Sequence, residues 1–206
     1  MSRFIVIFLS SILVLSFGSC TKDNFIETGL SKGRFDGNML EYMHSNPYDW
    51  DSTIILIKHA GLVSLFEGKD YPMITFFGPT NHSIRLWMIQ NGITNLQEVD
   101  PEDCKQMLLR HVVVGKYMRD DIPRGKGAVD GGVVGTGGVT YTAIGGNQIW
   151  AYTFRDQYNG VADIGAVTIK ISSVDKYRKF DIASSNIEPD NGVVHSLHYN
   201  FVFGQM

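Results

Sequence analysis

The stretch Ile74-Thr75-Phe76-Phe77-Gly78-Pro79-Thr80-Asn81-His82-Ser83-Ile84 decides the fold. Met73 to Phe77 is a short β-rich run, bounded by Pro72 and by Gly78-Pro79, which is the pattern of a buried strand. Pro79 fixes φ and ends the run. Thr80 or Asn81 then offers a side-chain oxygen to the free N–H groups of a helix carrying Ile84, Leu86, Trp87, Met88 and Ile89. Strand, corner and helix are therefore expected in that order.

On the N-terminal side of this corner the patterning is helical. Met39, Leu40, Tyr42 and Met43 precede a break at Asn46-Pro47. A second helix, starting near Asp51 or Ser52, brings Ile54 to Ile57 and Ala60 toward a core and is stopped by Gly61. Leu62 to Phe66 adds a helical turn closed by Gly68. On the C-terminal side Asp100 is the N-cap, and Pro101 the first residue, of a helix expected to run to about Val114, with Cys104, Leu108 and His111 on one stripe. Beyond Gly115 the character changes. Nine glycines fall between Gly125 and Gly146, and the apolar residues from there on come in short runs. The strand candidates are 139–144, 149–154, 167–174 and 193–203. Asn191-Gly192 is a favoured pair for a tight turn in which both residues take φ > 0. Helices followed by strands in one chain predict the α+β class. His111 and His195, each on an apolar stripe, are expected to be buried and hydrogen-bonded.

Composition narrows the function. Hydrophobic residues make up 44% of the chain and charged residues 19%, which marks a globular body. Eighteen basic residues stand against 21 acidic ones, and Lys and Arg form no run, so no nucleic acid is expected as a partner. His195 and His198 are an odd number of residues apart, which on a strand sends them to opposite sides. There is no His-Glu-x-x-His, cysteine cluster or calcium loop, so neither a metal nor another cofactor is expected. The glycine-rich stretch lacks the ordered lysine and serine of a phosphate cradle, and hairpins and bulges account for it better. Gly-x-Ser-x-Gly and paired carboxylates are also missing, so no catalytic residues are assigned and the chain is not read as an enzyme. Trp150, Tyr152 and Phe154 alternate onto one face of a strand. Exposed, that face would be a platform for sugar rings or a partner protein; buried, it would be core.

The N-terminus carries Arg3 and then an apolar run from Phe4 to Phe17, ending at Gly18-Ser19-Cys20. The run is shorter than the about 20 apolar residues needed to cross a bilayer, so residues 1–19 read as an export signal. Gly18-Ser19-Cys20 resembles the lipobox of bacterial lipoproteins, although Phe17 stands where Leu is more usual. That resemblance implies an acylated Cys20 holding the chain on a membrane. Cys104 is then alone, a buried structural thiol with no disulfide partner. Residues 20–36 are small and polar and read as a flexible tether, with the folded domain at 37–206.

Three segments in order resemble the fasciclin domain family: Ile74 to Ile84 with its Pro79-Thr80-Asn81 corner, Leu108-Leu109-Arg110-His111-Val112-Val113-Val114-Gly115, and Asp190-Asn191-Gly192-Val193-Val194-His195-Ser196-Leu197. The resemblance implies a fasciclin-like α+β domain, N-terminal helices followed by a β-sheet wedge, serving adhesion or binding to an extracellular protein or glycan. Members proposed to contact animal receptors carry Tyr where this chain has Arg110. The family's Asp-Ile pair corresponds to Asp181-Ile182, a candidate binding position, and Ser185 to Asp190 reads as an insertion after it. Together these imply a lipoprotein of the cell envelope, anchored in the outer membrane of a Gram-negative bacterium and capable of weak self-association. The alternative is a glycan-processing enzyme, or an accessory glycan-binding protein, of a polysaccharide-utilisation system.

Overall fold

The computed structural model of the chain describes residues 33–206. The export signal, Cys20 and all of the tether up to residue 32 lie outside the described residues. The folded unit begins at Gly33, four residues before the boundary drawn from the sequence. Glu188 N–H donates to the Gly33 carbonyl at 2.8 Å and Phe35 N–H to the Glu188 carbonyl at 2.9 Å, so this end of the tether is bonded to the domain.

Among the described residues, five α-helices lie in the N-terminal half: α1 (Met39–Ser45), α2 (Pro47–His59), α3 (Val63–Phe66), α4 (Asn81–Asn91) and α5 (Pro101–Leu109). Strand β1 (Ile74–Gly78) lies between α3 and α4, and β2 (Val112–Val114) follows α5. The rest is β: β3 (Gly125–Lys126), β4 (Thr136–Gly137), β5 (Val139–Thr142), β6 (Gln148–Arg155), β7 (Val167–Ser173), β8 (Arg178–Ile187) and β9 (Gly192–Leu197). Seven strands form one mixed sheet in the order β2-β1-β9-β8-β7-β6-β5, and β3 with β4 forms a separate two-stranded ribbon. Within the sheet β1 and β9 run parallel, and the other neighbouring pairs are antiparallel. The chain is α+β.

Period-two alternation sorts the side chains into two cores. Ile74 and Phe76 of β1, Val112 of β2 and Val194 of β9 face the helices, where Met39, Trp50, Leu56, Phe66 and Leu108 pack on them. Phe77, Val113 and Leu197, from the same three strands, face a second core with Ile149, Ala151, Ile169, Ile171 and Phe180. Buried on both faces, β1 is apolar apart from Thr75, whose hydroxyl donates to the Gly115 carbonyl at 2.7 Å.

Several boundaries differ from the sequence reading, each for a local reason. Pro47 is the first residue of α2 rather than a break before it, because proline needs no N–H partner at that position. The helix from Pro101 stops at Leu109, and Val112 to Val114 leave it to pair with β1; three β-branched side chains favour the pleated surface over another helical turn. The long strand expected over 193–203 ends at Leu197. Strand β8, absent from the candidates, absorbs the supposed insertion through two register shifts against β9, with Asn186 at φ 62°.

Candidate functional site

The corner after β1 is held, but not by the bonds expected of it. Thr80 is the N-cap of α4 and makes no side-chain capping bond. Asn81 reaches instead to α2: its Oδ1 accepts from Ser52 N–H at 2.7 Å, and its Nδ2 donates to the Tyr48 carbonyl at 2.8 Å and the Pro47 carbonyl at 2.9 Å. Tyr48 and Ser52 are an i, i+4 pair, so the amide bonds both groups that a regular turn would join to each other. The Pro79 carbonyl accepts from the buried Thr53 hydroxyl at 2.7 Å. Both anchors fasten the corner to α2.

Asn191-Gly192 is likewise not the two-residue turn read from the sequence. Only Gly192 has positive φ, at 152°, and it already belongs to β9. A side chain there would place its Cβ 1.9 Å from the Ile74 carbonyl oxygen, so parallel β1 can lie alongside only a glycine. Asn191 is buried. Its Oδ1 accepts from Met39 N–H at 2.7 Å, its Nδ2 donates to the Phe66 carbonyl at 2.9 Å, and its own carbonyl accepts from Ile74 N–H at 3.1 Å. One residue thus ties α1, α3 and β1.

The two histidines are buried and bonded, to carbonyls and not to each other. His111 Nδ1 lies 2.8 Å from the Phe77 carbonyl, which fixes it as the N–H donor, and Nε2 is a buried atom with no partner among the described residues. Its ring stacks on Phe203 at 5.7 Å and meets Phe201 edge-on at 5.4 Å, one phenylalanine from each core. His195 Nε2 donates to the Tyr117 carbonyl at 2.8 Å while Nδ1 accepts from Asn186 N–H at 3.3 Å, and its ring stacks on Phe77. Burial holds both imidazoles down at about 4, against the pull of the carbonyls they bond. Cys104 is buried in the helical core, and burial pushes its thiol up to about 11. These groups hold the fold together.

The outer face of the sheet is different. Trp150 and Tyr152 of β6 point away from both cores and are 2% and 9% exposed, because the β3–β4 ribbon lies over them; Phe154 is half-buried. The three rings run in series, with centroids 4.5 Å and 6.1 Å apart. Trp150 Nε1 donates to the Gly137 carbonyl at 3.1 Å. Glycine is required where the ribbon meets the rings: at Gly138, φ 66°, a Cβ would lie 2.6 Å from the Ala151 carbonyl and 2.8 Å from Trp150 Nε1. Tyr152, Lys170 and Asp181 are paired in one row across β6, β7 and β8. Lys170 Nζ lies 3.1 Å from Asp181 and 5.1 Å from the centre of the Phe154 ring. Ile182 faces the other way and packs on the second core, so Asp181 and Ile182 do not share a surface.

Between the ribbon and this face a cleft of about 710 Å³ opens, floored by Tyr152 and Phe154. Arg124, Lys126, Arg155, Lys170 and Asp163 supply its charges. A smaller cleft of about 270 Å³ adjoins it along Tyr152 and Lys170 and reaches Trp150, Lys179 and Asp181. The aromatic stripe was visible in the sequence, but the cations around it were missed. Lys170 had a signal, since Thr168, Lys170 and Ser172 alternate with Ile169 and Ile171. Arg124 and Lys126 had none, because they come from a ribbon whose placement no periodicity encodes. Among the described residues no group of three or more His, Cys, Asp or Glu is arranged to hold a metal.

The family model of the Fasciclin domain matches residues 49–199. No curated protein matches the chain. Among solved structures, a FAS1 domain pair from the insect cell adhesion molecule Fasciclin I is similar at 12% identity and a TM-score of 0.49, over 81% of this chain and 46% of that one, so this chain spans a little under half of the pair.

Proposed function

The chain belongs to the fasciclin domain family, and from that premise we propose that it is a lipid-anchored binding protein of the bacterial cell envelope that engages a protein or glycan through the outer face of its sheet. The observation that carries the reading is the cleft over Tyr152 and Phe154, which joins an apolar floor to a few convergent charged groups on a rigid sheet, as small-ligand and sugar sites do. Cys20, after an export signal, supplies the anchor, and its acyl group would keep the domain at the membrane surface.

Two experiments test the two halves. Growth with a labelled fatty acid should mark the chain, and Cys20→Ala should lose both the label and membrane attachment; unchanged attachment of the variant refutes the anchor. Arrays of envelope glycans and proteins, probed with the full chain in detergent, should show retention that Phe154→Ala removes. Release of shortened glycan products would speak for the enzyme instead.

A further inference from the structure

We propose that the cleft takes an anionic sugar, a pyranose carrying a carboxylate or sulfate, with the ring on Phe154 at the open end of the aromatic stripe, beside Tyr152, and the anion held by Lys126 and Arg155. This rests on the binding reading above and specifies its ligand. The cleft sets charge against an apolar floor. The whole chain has a formal net charge of −3, yet the two adjoining clefts are lined by five cations, Arg124, Lys126, Arg155, Lys170 and Lys179, and two carboxylates, Asp163 and Asp181. Both carboxylates are engaged, Asp163 by Arg124 at 2.9 Å and Asp181 by Lys170 at 3.1 Å.

Three cations are left without a carboxylate among the described residues. Arg155 donates to the Gly165 carbonyl at 3.2 Å and Lys179 to the Ala128 carbonyl at 3.1 Å; Lys126 pairs with no described carboxylate. Positive charge gathered in a cleft with aromatic walls raises the local concentration of anions and strengthens charge-assisted hydrogen bonds to them. The floor selects among anions. Sugar rings present C–H faces that pack on aromatic rings, whereas an acidic peptide offers carboxylates on flexible stems with no flat apolar face to match Phe154. Lys170, held between Asp181 and the Phe154 ring, fixes the edge of that floor.

The test uses the full chain in detergent micelles on surfaces coated with polygalacturonate, its methyl ester, dextran sulfate, neutral dextran and poly-glutamate. Expected is retention on polygalacturonate, dextran sulfate or both, at least ten-fold tighter than on the ester, dextran or poly-glutamate, and weakening as salt rises. Lys126→Ala with Arg155→Ala, and separately Phe154→Ala, should each lose ten-fold or more while the chain stays folded, with the unfolding temperature moved by no more than about 4 °C. The carboxylate and sulfate arms tell which anion is preferred. Poly-glutamate bound as well as the acidic glycans overturns the sugar assignment, and acidic-glycan binding indifferent to the double variant overturns the site. Equal binding of ester and neutral dextran, lost in Phe154→Ala, overturns the anion while leaving the binding function standing. Retention on none of the five overturns the inference, and the binding function then answers to the arrays alone.

Discussion

The two ends of the sheet use the same kinds of residue for opposite purposes. At the β1–β9 end, glycine, asparagine and aromatic side chains are consumed in closing the body: Gly192 admits β1, Asn191 ties three elements, and Phe76 and Phe77 fill the two cores. At the β5–β6 end, glycines let a thin ribbon lie over Trp150 and Tyr152, and the stripe continues into an open cleft at Phe154. What separates the ends is the covering layer. Five helices seal the first, and a two-stranded ribbon partly covers the outer face of the second. Damage at the first end should therefore unfold the protein, and damage at the second should change binding more than stability.

The first end is most vulnerable at Gly192. Gly192→Ala should cost more than about 4 kcal/mol, since the new methyl must displace the Ile74 carbonyl or separate β1 from β9; urea denaturation followed by circular dichroism would read it, and a stable variant would refute the parallel register.

Acid should act next, and on the same end. His111 and His195 are held neutral, with folded values of about 4 against an ordinary 6.5, so the unfolded chain takes up protons first as the pH falls. Their contribution to stability is complete above pH 6.5, declines by up to about 1.4 kcal/mol per pH unit for each histidine between 6.5 and 4, and levels off below. Urea midpoints across that range check it, and His195→Gln should remove about half of the slope.

Asn191→Ala leaves the Met39 N–H and the Phe66 carbonyl without their partner and should cost about 2–6 kcal/mol, from about 1–3 kcal/mol for each buried group so exposed. The thiol of Cys104, protonated and buried in the helical core, gives a local readout: its labelling by a thiol reagent should accelerate in this variant. Gly138→Ala sharpens the contrast from the other side. It should cost about 1–3 kcal/mol through its positive φ and the close Ala151 carbonyl, and shift tryptophan emission through Trp150, with little change in Cys104 labelling. The smallest stability effect belongs to Phe154→Ala, about 1 kcal/mol or less at a half-buried position, together with the loss of binding described above.

Much of the first end was legible because its signals are local. Pro79 ends a strand wherever it follows one, Asp100-Pro101 opens a helix whose first N–H groups are bonded by the Asp100 carboxylate, and the run read as a buried strand over Met73 to Phe77 is one over Ile74 to Gly78, Met73 lying exposed before it. The partners of the polar residues were not legible. Asn81 looked like a cap for its own helix and serves α2, and Asn191 looked like a turn residue and is a buried clamp, because an amide bonds whichever backbone groups packing brings within about 3 Å. Strand β8 was lost for a related reason: its Lys, Asp, Ser and Asn residues blur the alternation, and its bulges break the period.

Read by itself, the chain determined its class, its order of helices before strands, the burial of His111 and His195, and the alternation of Trp150, Tyr152 and Phe154, since each follows from backbone preference or a period of two. Only the tertiary structure decided that the face bearing those rings would be roofed at one end and open at the other, and that Arg124, Lys126 and Lys170 would gather there. Those cations come from separate segments of the chain, and their proximity is set by how the ribbon folds back over the sheet, a long-range arrangement that no local pattern of residues specifies.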